Sequence, residues 1–341
     1  MASMDVFRGD AFNTFSLTQA LNNVPSLPSF LGDLKIFEDE PVRTEYFAVE
    51  KRDNTLNLVQ TTKRGAPPKT RTNDKRDLRY FPTVRIANHD RVMASEIQNI
   101  RAFGSESELM QVQDEVMRRM LALRNDIALT HENMRLGAIM GVVKDADGST
   151  IIDYFSASGF NVSQAAEIDF NLDATSGAGV RTACDGVVRA MVRAAKGAWI
   201  NGRTYAMGLC SDTFWDALIA NTEVRATYLN QVAAADLRTG TAYQQFRYGG
   251  ITFVNYQGTD DNTTVTVPTD KCKFFPVNAP GVFKRALSPG ESFDWVNTLG
   301  QPEYARLIPD DDRNEYVEID VRSYPLYVCT KPLMLQRAKL T

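Results

Sequence analysis

A single apolar stripe dominates the middle of the chain. Its members recur at spacings near 3.6 residues, the repeat of an α-helix. They are Leu109, Val112, Val116, Met120, Leu123, Ile127, Met134 and Ala138. Just upstream, Ser105-Glu106-Ser107-Glu108 has the form of a capping box, which marks a helix N-terminus. The pattern predicts a helix over 105–140, about 54 Å long at 1.5 Å per residue, which suits a flat subunit better than a round one.

Before this helix, short stretches alternate between apolar and polar residues, the period of a half-buried β-strand. Residues 45–49 and 55–59 are two such stretches, and the turn-prone Arg52-Asp53-Asn54 between them predicts a hairpin. Residues 63–69 contain a glycine and two prolines, so no strand ladder continues there. Residues 41–86 therefore predict a projecting β-loop, an element that commonly serves to contact a partner.

The first 40 residues show little regular patterning beyond a short helical phrase at 16–21. Prolines follow at positions 25 and 28, and apolar residues then run from Phe30 to Phe37. Apolar residues with so little regular structure need a surface to lie on. We therefore expect residues 1–40 to form an extended arm that lies on a neighbour.

The remaining chain mixes helical and strand periods, which predicts an α+β fold without an internal repeat. We expect a hairpin within 141–160, an amphipathic helix from near Thr175, a strand at 204–210, a helix capped by Ser211 or Asp212, and strands at 251–256 and 271–277. Val317, Ile319 and Val321 alternate with charged residues. They predict one long half-buried strand that continues past Pro325 to Leu335.

Charge is distributed unevenly along the 341 residues. The net charge is -4, but residues 51–80 hold nine Lys and Arg against three Asp, so this segment carries +6 and the remainder -10. The candidate contact residues in the segment are Lys63, Arg64, Lys69, Arg71, Lys75 and Arg76. Such asymmetry indicates an acidic partner surface, either nucleic acid or another copy of the chain. Another copy is favoured, since few aromatic residues are interleaved for base stacking.

Candidate catalytic chemistry is sparse. His131-Glu132 begins like a metalloprotease helix motif, but Arg135 stands where the second histidine belongs. His89 is the other histidine, and the scattered cysteines at 184, 210, 272 and 329 fit buried reduced thiols. We expect no enzyme activity, metal or cofactor. No apolar run reaches the length of a membrane span and no signal peptide is evident, so we expect a cytoplasmic protein without a membrane partner.

Several phrases in this order resemble the lambda-type major capsid protein family of tailed bacteriophages. They include Phe15-Ser16-Leu17-Thr18, Arg64-Gly65-Ala66-Pro67, Arg101-Ala102-Phe103-Gly104, His131-Glu132-Asn133-Met134 and the region from Tyr324 to Leu335. The resemblance implies the Hong Kong 97-type capsid fold. It divides the chain into an N-terminal arm (1–40), an extended β-loop (41–86), a peripheral domain (87–165) with its spine helix at 105–140, an axial domain (166–300) and a return to the peripheral domain (301–341).

The resemblance also implies the function and partners. The chain would form hexamers and pentamers of an icosahedral shell around double-stranded DNA, assembled in the bacterial cytoplasm with a portal and a possible decoration protein. The basic loop would meet an acidic patch of a neighbour, at Glu38-Asp39-Glu40 or Asp310-Asp311-Asp312. Since about 40 residues precede the loop, we expect scaffolding to come from a separate protein. The alternatives are a nanocompartment shell of the same fold and a basic-loop nucleic-acid-binding protein.

Overall fold

The computed structural model describes residues 13–23, 29–52, 76–98, 108–173, 179–229, 245–259, 265–313 and 315–341. Seven α-helices lie in these ranges: α1 Thr14–Asn23, α2 Phe30–Asp33, α3 Ala94–Gln98, α4 Glu108–Met140, α5 Val180–Ala195, α6 Asp212–Ala220 and α7 Thr222–Leu229. Sixteen strands accompany them: β1 Glu38–Pro41, β2 Tyr46–Arg52, β3 Arg76–Pro82, β4 Ile86–Met93, β5 Val142–Lys144, β6 Thr150–Asp153, β7 Glu167–Asp169, β8 Tyr205–Cys210, β9 Gln245–Tyr248, β10 Ile251–Asn255, β11 Lys271–Val277, β12 Phe283–Leu287, β13 Tyr304–Pro309, β14 Tyr316–Ser323, β15 Pro325–Cys329 and β16 Gln336–Lys339. The α+β prediction is confirmed.

The strands form five sheets. Three of them build the body: β13-β14-β4, β1-β12-β15 and the six-stranded β7-β16-β11-β8-β10-β9. The other two are two-stranded: the ribbon β2-β3 and the hairpin β5-β6. The hairpin confirms the prediction for 141–160, because its strands flank the turn that contains Gly148.

The long spine helix is confirmed as α4, which has 33 residues. The first residues of the predicted helix, 105–107, lie outside the described ranges. The stripe residues Val116, Met120, Leu123 and Ile127 are buried in one cluster with Ile319 and other residues of the β13-β14-β4 sheet. The apolar stripe therefore packs the spine onto a sheet, as its period requires.

Helix α1 lies within the segment predicted to be an extended arm, and it packs on its own subunit. Leu17 and Leu21 are buried in the same cluster as the stripe of α4. The Thr18 hydroxyl donates to the carbonyl of Ala305 at 3.2 Å and accepts from its N–H at 3.1 Å, so α1 is bound to β13. This part of the predicted arm packs on its own subunit.

The six-stranded sheet packs with helices α5, α6 and α7 around a second cluster that includes Val187, Met191 and Phe214. Helix α5 begins at Val180, later than the predicted start near Thr175. The Glu223 carboxylate of α7 accepts from the N–H groups of Gly179 and Val180, which fixes that start. Ser211 caps α6 as predicted, since its hydroxyl accepts from the N–H of Phe214.

Two predictions near the C-terminus are wrong. The single long strand after Val317 is two strands, because β14 lies in the β13-β14-β4 sheet and β15 pairs with β12. Pro325 has no N–H and so cannot extend the ladder of β14. The return to the peripheral region is also incomplete, since β16 joins β7 and β11 in the six-stranded sheet of the region predicted to be axial.

Candidate functional site

The β2-β3 ribbon is the base of the predicted β-loop, and its two faces differ. Phe47 lies opposite Phe81 in the antiparallel register, so both point to the same face. That inner face is buried, and Phe81 lies 5.4 Å from the ring of Phe160. Because side chains alternate along a strand, the residues between these inner-face positions point away from the core.

The outer face of the ribbon is exposed although it is largely apolar. Tyr80 is 63% and Tyr46 56% exposed, and Leu78 and Ala48 are exposed beside them. An isolated two-stranded ribbon is marginally stable in water, and exposed contiguous apolar surface marks interaction sites. The ribbon is therefore packed on its own subunit through the inner face, and its outer face is available to a partner.

The predicted hairpin turn at Arg52-Asp53-Asn54 is wrong at its first residue. Arg52 is the last residue of β2 and lies opposite Arg76, the first residue of β3. Strand β2 thus pairs with 76–82, while residues 55–59 lie outside the part of the chain that the structure describes.

The predicted contact residues are only partly covered by the structure. Lys63, Arg64, Lys69, Arg71 and Lys75 lie outside the described residues. Arg76 is placed by its backbone at the end of β3. Their role in contacts between subunits stays a prediction.

The predicted acidic patch at 38–40 is occupied within its own chain. Asp39 makes two hydrogen bonds of 2.6 Å with the guanidinium of Arg285, and Glu40 lies 2.6 Å from the Lys284 ammonium. Glu38 accepts from the N–H of Gly281 at 3.0 Å. The cause is the parallel pairing of β1 with β12, which sets these acids beside those bases. These ion pairs offset part of the negative charge that the patch would present to a neighbour.

The second acidic patch lies in the turn between β13 and β14. Asp310 Oδ1 accepts from the N–H groups of Asp312 and Arg313, so this carboxylate holds its own turn together. Asp311 and Asp312 are exposed. The two acidic patches are on different sheets, and a role in binding the basic loop stays a prediction for both.

His131 is fully buried, more deeply than the partly buried position that the sequence indicates. Its Nδ1 lies 3.0 Å from the Tyr327 hydroxyl. Burial, followed by the positive charges of Arg135 and Arg285, lowers the pKa of His131 to about 3. The ring is therefore neutral at physiological pH and ties α4 to β15.

Glu132 is the centre of the same buried network. Its carboxylate accepts from the N–H of Leu31 at 2.9 Å and from the Tyr256 hydroxyl at 3.2 Å, and it pairs with Arg135 at 3.2 Å. One acidic side chain of the spine thereby joins α2 and the strand β10 region. The metalloprotease-like phrase at 131–132 therefore marks two residues that connect elements of the fold.

A buried ion pair joins the spine to the segment before β13. Arg124 Nε lies 2.7 Å from Glu303 Oε2, and both side chains are less than a tenth exposed. Burial raises the pKa of Glu303 although Arg124 lowers it. No periodicity in the sequence could have paired these residues, since 179 positions separate them.

The described residues offer little reactive chemistry. Among them, no three His, Cys, Asp or Glu side chains converge as a metal site requires. All four cysteines are buried and unbonded, and burial raises the pKa of Cys184 and of Cys329 to about 12. Every helix in the described ranges is too short or too polar to cross a membrane. What the geometry does offer is an anchored ribbon with an exposed apolar face.

Solved structures share this architecture at low sequence identity. The capsid structure of Cyanophage P-SCSP1u aligns with a TM-score of 0.55 and 10% identity, covering 94% of this chain and 90% of that one. The putative capsid protein of a prophage from E. coli CFT073 aligns with a TM-score of 0.53 and 15% identity, covering 96% and 99%. The fold is therefore the Hong Kong 97-type capsid fold.

Sequence relatives cover the whole chain. It is 26% identical to the major capsid protein of Salmonella phage Felix O1, over 94% of each chain. It is 24% identical to that of Pseudomonas phage KPP10, over 96% of this chain and 97% of the relative. The family model for phage major capsid protein E matches residues 13–340. Because that match spans nearly every residue, the protein belongs to the phage major capsid protein E family.

Proposed function

We propose that this protein assembles with copies of itself, as hexamers and pentamers, into the icosahedral shell that encloses a phage double-stranded DNA genome. The observation that carries the proposal is the two-faced β2-β3 ribbon. Its inner face is buried against its own subunit and its outer face exposes Tyr46, Leu78 and Tyr80. An apolar face of this kind gains free energy when a second copy covers it, at about 25 cal/mol per Å² of buried apolar surface.

Charge supports the same partner. The basic segment 51–80 carries +6 and the rest of the chain -10, so the loop of one copy is attracted to the body of another. The basic charge and the exposed apolar face both favour association with a second copy, since they belong to the same β-loop. Many copies of one such contact produce a closed shell when the symmetry closes.

The finer partners belong to the same proposal. A separate scaffolding protein guides assembly in the bacterial cytoplasm, a portal and a decoration protein join the shell, and DNA lies on its interior face. The protein works as a structural subunit of the virion and not as an enzyme. A nanocompartment shell and a nucleic-acid-binding protein are not favoured, because the family match is to phage capsid proteins.

The proposal is tested by sedimentation velocity and negative-stain imaging of the protein alone and with the scaffolding gene product. Wild type should form capsomers, tubes or closed shells. Leu78→Asp with Tyr80→Asp should reduce assembly at least tenfold, because it puts charge on the outer face of the ribbon. Val192→Asp, at an exposed apolar residue of α5, is the matched control and should assemble as wild type does.

Charge reversal at Lys63, Arg64, Lys69 and Arg71 should also weaken assembly. The contrary result is a stable monomer or dimer in both preparations that binds DNA with a steep salt dependence. That result would replace the shell by a nucleic-acid-binding function.

A further inference from the structure

A short protrusion between β12 and β13 holds a fully exposed phenylalanine on a rigid turn. Phe293 is 98% exposed, and Val296 and Leu299 beside it are more than half exposed. The turn is a 3-10 helix, Phe293–Trp295, whose Trp295 is buried with its ring centroid 4.6 Å from that of Phe15 and 5.1 Å from that of Tyr304. We call Phe293, Asp294, Val296 and Leu299 the knob.

The knob does not collapse onto its own subunit, because the turn beneath it is bonded in place. The N–H of Trp295 donates to the Ser292 carbonyl at 3.0 Å, and the Thr298 hydroxyl donates to the Trp295 carbonyl at 2.7 Å. Asp294 is exposed next to Phe293. The knob thus presents one aromatic ring and one carboxylate outward.

A concave surface that is lined by lysines and apolar residues lies at the base of the ribbon, and we call it the groove. It has a volume of about 450 Å³ and its apolar lining includes Phe47, Phe160 and Leu333. Three lysines, Lys196, Lys284 and Lys331, line it as well, against the single acid Glu50. An apolar cavity of about 150 Å³ is known to hold a benzene ring, so this groove has room for a phenyl ring and its neighbours.

The lysines of the groove are held by contacts within the subunit. Lys331 donates to the carbonyls of Ala195 and Lys196 at the C-terminal end of α5. Lys284 pairs with Glu40 and lies 5.9 Å from the ring centroid of Phe47. Lys284 is therefore already paired with a carboxylate of its own subunit, and the Lys331 ammonium is held at the groove by the carbonyls that end α5.

Strand β12 separates the groove from the knob. Lys284, at its start, lines the groove, and the chain leaves its last residue, Leu287, toward the knob. The strand is paired on both sides, with β1 and with β15, so its length of about 17 Å is fixed. The knob and the groove share no residue, so they are separate surfaces that a second copy can bring together.

We propose that the knob of one copy docks in the groove of the next, with Phe293 on the apolar lining and Asp294 facing the lysines. The proposal rests on the shell function proposed above, and it names one contact of that assembly. Two complementary surfaces at opposite ends of a strand make a head-to-tail contact, and such contacts close into rings when the rotation permits. The contact therefore belongs within a capsomer.

The test is an engineered disulfide in the full chain, Phe293→Cys with Leu333→Cys. All four native cysteines are buried, so the new thiols react without competition. Phe293→Cys with Leu129→Cys is the matched control, since Leu129 is as exposed as Leu333 but lies on α4 outside the groove. After mild oxidation of assembled protein, the first variant should give a ladder up to linked hexamers on a non-reducing gel.

The single variant Phe293→Cys and the Leu129 control should stay monomeric on that gel. The inference is overturned if the Leu333 pair also stays monomeric, or gives only dimers, in a preparation that still assembles by sedimentation. That result leaves the shell function standing. A failure of wild type to assemble at all overturns both.

A second measurement does not depend on disulfide geometry. Asp294→Lys should lower the yield of assembled particles at least fivefold at low salt, since it sets a cation against the groove lysines. Asp294→Asn should lower it less. Equal yields for wild type and Asp294→Lys would contradict the docking of the knob.

Discussion

The spine helix and the β2-β3 ribbon differ in where their side chains find partners. Along α4, the polar residues Arg124, His131 and Glu132 are buried, and each is bonded to another part of the same subunit. On the ribbon, the inner face is also buried, but the outer face exposes Tyr46 and Tyr80 to solvent. The chain thus separates surfaces that fold the subunit from the exposed surface that we propose joins subunits. Substitutions in the two regions should therefore appear in different measurements.

The largest expected effect is on the spine. Arg124→Ala should lower the free energy of unfolding by about 3–5 kcal/mol, because it leaves the buried Glu303 carboxylate without its partner. Urea denaturation measures the loss. Arg118→Ala is the control, since Arg118 is exposed and its solvent-screened pair with Glu115 should contribute little to the free energy of unfolding. Equal losses for the two variants would contradict the structural role of the buried pair.

The ribbon offers a comparison within a single element. Phe47→Ala on the inner face should cost about 3 kcal/mol of unfolding free energy, because it opens a cavity in the core. Tyr80→Ala on the outer face should change it by less than about 0.5 kcal/mol and instead reduce assembly. Denaturation and sedimentation on the same samples separate the two. A Tyr80→Ala variant that unfolds easily but assembles normally would reverse the assignment of the faces.

The smallest expected effect is the pH dependence of the spine network. The pKa of His131 falls from 6.5 to about 3 on folding, chiefly through burial. Below pH 6.5 the unfolded chain binds a proton that the folded chain does not. The free energy of unfolding therefore has its full value above pH 6.5 and decreases as the pH falls to about 3. At pH 5 the loss is about 2 kcal/mol, from 1.36 kcal/mol per unit.

Two variants isolate this effect. His131→Gln should flatten the decrease in unfolding free energy between pH 6.5 and pH 5, whatever its stability at pH 7. His89→Gln is the control variant, because it removes the exposed histidine of β4 and leaves the buried spine network intact. If His131→Gln keeps the wild-type slope, other groups cause the acid sensitivity.

The sequence predicts those parts of the fold that depend on local periodicity. The stripe of α4 recurs over eight apolar positions, and α6 has its cap residue Ser211 directly before it. Both were placed correctly because their signals lie within a few residues of the element. The buried state of the four cysteines agrees with the prediction made from their scattered positions.

Contacts between distant residues could not be predicted in this way. The pairing of β1 with β12 joins Asp39 to Arg285 in an ion pair within the subunit, which no local pattern indicates. The pairing of β2 with β3 likewise spans a long stretch of sequence, and a local pattern could not indicate it. The knob carried no signal at all, because an exposed Phe293 looks like any core phenylalanine in a sequence.

The C-terminal strands have a consequence for the timing of folding. β14, β15 and β16 follow one another directly, yet each enters a different sheet of the body. β16 pairs with β7, so Arg337 meets Glu167, which the ribosome has made long before. Each of the three sheets therefore lacks a strand until residues 316–339 are synthesised, and closing such distant pairs is slow. A nascent chain that has not yet reached β16 therefore cannot assemble as a finished subunit does.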